Sequence, residues 1–128
     1  MSKLAIILLS LGFSTVSFAN TECEALLNSA RSNMQAIEGA LDDKILHITE
    51  KLGEEQFSCE DINAAVKVYE TITQAGAVAA RDMGAAEQLK CKTNPEIDTK
   101  GEDIFVATMY FELMSKQLQD AQASGNCK

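Results

Sequence analysis

Residues 58–91 read SCEDINAAVKVYETITQAGAVAARDMGAAEQLKC, an apolar-periodic run opened and closed by cysteines. Its apolar and small residues fall at Ile62, Ala65, Tyr69, Ile72, Gly76, Ala79, Met83 and Ala86. The steps alternate between three and four, which places all of them on one stripe of a helix. Ser58 and Asp61 have the spacing of a capping box, with Asp in place of the usual Glu. Phe57 and Ile62 stand where a hydrophobic staple would put them. From Ala75 to Ala86 the run is rich in Ala and Gly. Another helix can therefore approach closely there, although Gly76 and Gly84 cost helix propensity.

The same period extends outward on both sides. Upstream, Leu27, Ala30, Met34, Ile37, Leu41, Ile45, Ile48 and Leu52 form one stripe, predicting a single first helix. Thr21 with Glu24 is a capping-box candidate at its start, Gly39 softens its middle, and Gly53 suits its end. Downstream, Asn94-Pro95 breaks the pattern, and residues 92–101 read as a loop. A third helix is predicted over 102–124, with Ile104, Ala107, Phe111, Met114, Leu118 and Ala121 as its stripe and Gly125 as its stop. No strand alternation, fixed-period repeat or low-complexity segment competes. The expected fold is all-α, an up-down-up array of three long helices.

That array decides how the four cysteines pair. Cys59 and Cys91 bracket one continuous helix and lie about 48 Å apart at 1.5 Å per residue, whereas a disulfide needs Cα atoms within roughly 7 Å. In an up-down-up arrangement, helix one begins where helix two ends. Cys23 then meets Cys91, and Cys59 meets Cys127 at the other end. Joining Cys23 to Cys59 and Cys91 to Cys127 would link opposite ends of neighbouring helices. The surviving connectivity closes two long loops, each worth about 2–4 kcal/mol through restriction of the unfolded chain.

Disulfides require an oxidising compartment, and the N-terminus supplies a route to one. Met1-Ser2-Lys3 is a short positive start, Leu4–Phe18 carries no charge, and Ser17-Phe18-Ala19 has small residues at the −3 and −1 positions of a cleavage site. The apolar stretch falls short of the ~20 residues of a spanning helix, and no cysteine follows the cut to take a lipid anchor. Residues 1–19 are expected to be a signal peptide cleaved after Ala19, leaving 20–128 as a single helical domain in the periplasm, without a membrane anchor. The full chain has a net charge of −8. Loss of Lys3 leaves 10 basic against 19 acidic residues, or −9. Such a balance opposes nucleic acid and anionic membranes, both of which need Lys/Arg clusters. It suits a cationic protein partner, and it also keeps an exported protein in solution.

Catalytic constellations are missing from the pattern. His47 is the only histidine, and Asp43, one turn before it, reads as a helix-face ion pair with no third ligand or nucleophile. Neither a Gly-x-Ser-x-Gly elbow nor a phosphate-cradling glycine loop occurs in the mature part. The paired acids Asp42-Asp43, Glu54-Glu55, Glu60-Asp61 and Glu102-Asp103 sit at turns and helix starts, where the helix dipole favours them. Of Met34, Met83, Met109 and Met114, three occupy stripe positions, which are core-filling sites more often than ligands, and Met109 falls outside the stripe. No enzyme activity, metal or cofactor is expected.

Two surfaces exceed what the fold requires. The turn between the first two helices is acidic, with Glu50, Glu54, Glu55, Glu60 and Asp61. Gln56 and Phe57 within it add a polar contact and an apolar anchor. Glu54, Glu55, Gln56, Phe57, Glu60 and Asp61 are the expected partner-binding residues, able to steer a basic partner and bond to it. The loop carrying Glu96, Asp98, Glu102 and Asp103 is a weaker copy at the opposite end. The third helix carries a second apolar row, Phe105, Val106, Met109, Tyr110 and Leu113, which a homodimer through that helix would bury.

The export cut at Ser17-Phe18-Ala19, the cysteines Cys23, Cys59, Cys91 and Cys127, and the three amphipathic stripes together resemble the periplasmic immunity proteins of bacterial type VI secretion. The similarity is to the small helical members that neutralise peptidoglycan-degrading effectors, and it is one of architecture across the mature chain. It implies a dimeric protein that covers the active cleft of a hydrolase delivered into the periplasm. A periplasmic acid-stress chaperone is the alternative, and a carrier of a small ligand or metal a more distant one.

Overall fold

The computed structural model describes the backbone of residues 2–125 and 127–128, and side chains within 21–125 and 127–128. Among the described residues four helices follow in order: α1 (Ser2–Ala40), α2 (Asp43–Glu50), α3 (Cys59–Gln88) and α4 (Gly101–Ala123). The fold is all-α, and among the described residues no strand forms. The predicted signal peptide and its cut lie outside the residues whose side chains are described. Among the described residues, no helix is long and apolar enough to cross a membrane.

Two helix boundaries differ from the sequence reading. Because Leu4–Phe18 holds no proline, α1 runs straight through Thr21, and Thr21-Glu24 does not begin a helix. The predicted first helix is also divided at Leu41–Asp42. There the Asp42 backbone turns extended (φ −82°, ψ 172°) and its carboxylate accepts the Ile45 amide at 2.9 Å. An aspartate that takes a backbone N–H in this way caps a new helix rather than continuing the old one. The apolar stripe survives the interruption, and Ile37, Ile45 and Ile48 enter one core cluster.

α3 is the central element and packs chiefly against α1 and α4. Every stripe residue predicted for it, from Ile62 to Ala86, is buried. Ser58 caps it by accepting the Asp61 amide at 3.1 Å. Phe57 and Ile62 join the same core cluster, as a staple would have them. Tyr69, Ile62, Ile72, Met83, Ile104 and Leu118 are the largest fully buried side chains, each worth about 1.5–3 kcal/mol by burial. The Tyr69 hydroxyl is hydrogen-bonded to Thr49 at 2.9 Å, tying α2 to α3. Burial raises its pKa, although the Thr49 bond opposes the shift.

The small-residue half of α3 admits α4 closely. A Cβ placed on Gly76 would collide with the Thr108 side chain. One placed on Gly101 would meet the Gly84 amide nitrogen at 2.9 Å and the Ala80 carbonyl at 3.2 Å. The Gly101 amide, at the start of α4, donates to the Glu87 carboxylate at 2.8 Å, so α3 supplies the cap that Lys100 lacks. Thr108, buried at this crossing, satisfies its hydroxyl by donating to the Ile104 carbonyl at 2.7 Å. The buried line of α4 thus runs through Gly101, Ile104, Thr108, Ser115, Leu118 and Ala121. The predicted stripe positions Ala107, Phe111 and Met114 are only half-buried at its side.

Both disulfides form as the antiparallel array demands, Cys23–Cys91 with Cα atoms 5.5 Å apart and Cys59–Cys127 with 4.8 Å. At the first, Lys90 adopts φ 57°, with Lys90 N–H donating to Glu87 O and Cys91 N–H to Ala86 O. This Schellman termination turns Cys91 back towards α1. At the second, Cys59 N donates to Lys128 O and Lys128 N to Phe57 O, so the C-terminus is bonded to the start of α3 by backbone as well as by sulfur.

Candidate functional site

The Cys59–Cys127 junction brings the end of α4 over the turn between α2 and α3. Between them lies an open cleft of about 730 Å³. Glu54, Glu55, Gln56 and Phe57 form one wall, and Gln117, Asp120 and Ser124 of α4 form the other. Leu52, Ile62 and Ala121 give it an apolar floor. Gly53 makes the sharp turn into this wall with φ 89°, a conformation that glycine adopts without steric cost. Phe57 is half-buried, anchored in the core and edge-on to His47 with ring centroids 5.9 Å apart.

Four of the six expected partner-binding residues therefore share one concavity. Glu60 and Asp61 do not line it. Glu60 lies exposed on the first turn of α3, and Asp61 turns to Lys44 at 3.1 Å. The capping box is consequently half-formed, since the Asp61 carboxylate is engaged elsewhere. His47 pairs with Glu55 at 2.9 Å and not with Asp43. The break at Asp42 puts Asp43 in the first turn of α2, while the Gly53 turn folds Glu55 back onto the His47 ring. Glu54 meets Lys51 at 3.5 Å. These pairs are largely exposed and each is worth about 0–1 kcal/mol, so they are easily broken.

Sequence reasoning missed Gln117, Asp120 and Ser124, and the signal that would have found them was the Cys59–Cys127 pairing. A cysteine two residues beyond Gly125 that must reach Cys59 necessarily lays the last turns of α4 beside residues 52–57.

The second acidic loop is a different object. Asp98 has its side chain 1% exposed and takes a two-pronged contact from Arg31, Nε to Oδ1 and Nη2 to Oδ2, both at 2.7 Å. It also accepts the Asn94 amide at 2.7 Å. The Arg31 guanidinium holds the Asp98 carboxyl below the usual carboxylate range. Asp98 is thus a pin fastening the loop to α1 and is not a free acid. Asp82, also buried, is bonded by Ser29 at 2.6 Å and Arg81 at 3.1 Å, which again serves to join α1 to α3.

Among the described residues, no group of three or more histidine, cysteine, aspartate and glutamate side chains could hold a metal ion. The expected dimer residues Phe105, Val106, Met109, Tyr110 and Leu113 are all 50–59% exposed. They cover the side of α4 turned away from its buried line. The described residues thus present two surfaces of contrasting chemistry. An acidic, apolar-floored cleft lies at one end of the molecule, and a long apolar ridge runs along its side. Compared with protein-family models, curated proteins and solved structures, the chain matches none.

Proposed function

We propose that the protein is an exported inhibitor acting in the periplasm, an immunity protein that binds and blocks a cell-wall-degrading effector delivered by type VI secretion. The observation that carries this reading is the cleft between residues 52–57 and the end of α4, rimmed by Glu54, Glu55 and Asp120 around Phe57. It is built as a docking surface. Its floor is core, its walls are tied by a disulfide and two backbone hydrogen bonds, and its acids are exposed. Rigid walls lower the ordering cost of association.

The charge fits the class of target. Peptidoglycan is anionic, and hydrolases that act on it gain from basic surfaces around their clefts. A domain of net charge −9 is drawn to such a surface and accelerates encounter. Glu54 and Glu55 would exchange Lys51 and His47 for the cations of the enzyme.

The test is capture of the exported protein's partner from periplasmic and secreted fractions, followed by a turbidity assay of cell-wall lysis. The expected result is one stoichiometric hydrolase that this protein stops. A double reversal, Glu54→Lys with Glu55→Lys, should weaken inhibition by roughly tenfold or more while helicity is unchanged. Protection of no cell and inhibition of no hydrolase sinks the proposal. Suppression of client aggregation only after acid exposure would replace it with the acid-stress chaperone.

A further inference from the structure

The apolar ridge on α4 has a symmetry that the cleft does not explain. Met109 lies at its centre. Phe105 and Leu113 stand four residues to either side, and Glu102 and Lys116 seven residues to either side. Seven residues is close to two turns, so Glu102, Met109 and Lys116 fall on nearly one line down the helix. Along that line the ridge is apolar in the middle, acidic at its N-terminal end and basic at its C-terminal end. All three are exposed. Among the described residues, no ion pair within the chain engages Glu102, Asp103 or Lys116.

We infer that α4 is the seam of a twofold homodimer, in which two copies pair antiparallel about Met109 so that each Lys116 meets the partner's Glu102. Reversing a helix about its midpoint exchanges its ends, and only an acid and a base placed symmetrically give attraction at both. In that register Phe105 packs on the partner's Leu113, and Met109 on the partner's Met109. Asp103 flanks the same end and adds to the attraction for Lys116, while Glu112 stays at the wet edge. A parallel pairing would set Lys116 against Lys116 and Glu102 against Glu102, and is opposed at both ends.

The ridge is large enough to matter. At roughly 200 Å² for a large side chain, five side chains 50–59% exposed offer on the order of 500 Å² per copy. The pair would bury about 1,000 Å², near the lower bound for a specific interface. The dimer is therefore expected to be reversible, with its affinity set visibly by the two charge pairs. This inference is independent of what the cleft binds.

The test is sedimentation equilibrium of the exported, disulfide-bonded protein across micromolar to millimolar concentrations, with and without salt. A reversible dimer is expected. Glu102→Lys alone and Lys116→Glu alone should each raise the dissociation constant roughly tenfold, and the double reversal should restore it. Within one chain these two residues are about 21 Å apart along α4, so rescue can arise only between copies. Circular dichroism checks that the fold is retained. A monomer at all concentrations overturns the inference, as does a dimer that neither single reversal weakens. Weakening by both singles without rescue overturns the antiparallel register.

Discussion

Gly84 and Gly101 face each other where α3 and α4 cross, and alanine at the two positions should act in opposite directions. A Cβ on Gly84 would find no atom within 4 Å, because it projects away from the crossing. Gly84 lies inside α3, so Gly84→Ala is a gain of helix propensity of about 1 kcal/mol. A Cβ on Gly101 points into the crossing and meets the Gly84 nitrogen at 2.9 Å, the Gly84 Cα at 3.2 Å and the Ala80 carbonyl at 3.2 Å. All three are backbone atoms, which cannot rotate aside as a side chain would. The helices must part, at about 1–3 kcal/mol, and the Glu87 contact to the Gly101 amide loosens with them. For a domain of this size 1 kcal/mol corresponds to roughly 4–6 °C in the unfolding midpoint. Thermal unfolding of the oxidised protein at neutral pH, followed by circular dichroism, should show Gly84→Ala about 4–6 °C higher than the parent. Gly101→Ala should fall lower by about 4–18 °C. Shifts of the same sign would refute the reasoning, since they would mean that the helices do not meet at the Gly101 face.

Two further outcomes follow from the termini of α3 and the loop after it. Asp98→Asn should destabilise by about 1–2 kcal/mol at pH 7, because the native carboxyl titrates below the unfolded value of about 4. A depressed native pKa gives stability that is fully present above that value and is lost as pH falls below it. The gap in urea midpoint between parent and Asp98→Asn should therefore shrink between pH 5 and pH 3, and an unchanged gap would contradict the pinning role. Lys90 holds φ 57°, which disfavours any side chain. Lys90→Gly should raise the unfolding midpoint by about 2–5 °C, and a drop would show that the left-handed turn is not retained.

The parts of the fold legible in the sequence were those governed by periodicity and by the reach of a disulfide. α3 shows this best, since each of its eight stripe residues is buried and its length alone forbids Cys59–Cys91. Periodicity is blind to the break at Leu41–Asp42, because a short interruption leaves Ile37, Ile45 and Ile48 on the same side. What ends α1 is a polar competition for the Ile45 amide, which apolar spacing does not register. Thr108 and Ser115 were missed for a related reason. A buried threonine that bonds its own helix at Ile104 behaves as a small apolar residue, yet it does not count as one in a stripe. At the cleft, Glu54 to Phe57 could be proposed from composition. Their opposite wall, Gln117, Asp120 and Ser124, is joined to them only by tertiary structure. Asp98 reads in sequence like any loop acid, and only the arrival of Arg31 from a residue 67 positions away turns it into a pin.

The two surfaces are also connected. Lys116 precedes Gln117, which lines the cleft, so it is the cation next to that wall. In the antiparallel dimer the partner's Glu102 neutralises it, and the partner's Asp103 adds a further negative charge beside the same wall. Dimerisation would therefore sharpen the acidity of each cleft. The twofold at Met109 sends the two clefts to opposite ends, each centred about 16 Å along α4 from the axis, near Asp120. The charge reversals separate these effects. Lys116→Glu breaks the seam but removes the same cation, so the cleft of the monomer remains acidic. Glu102→Lys breaks the seam and leaves Lys116 uncompensated beside Gln117. If cleft acidity is what draws a basic target, the first variant keeps its attraction while the second loses part of it, although both are equally monomeric.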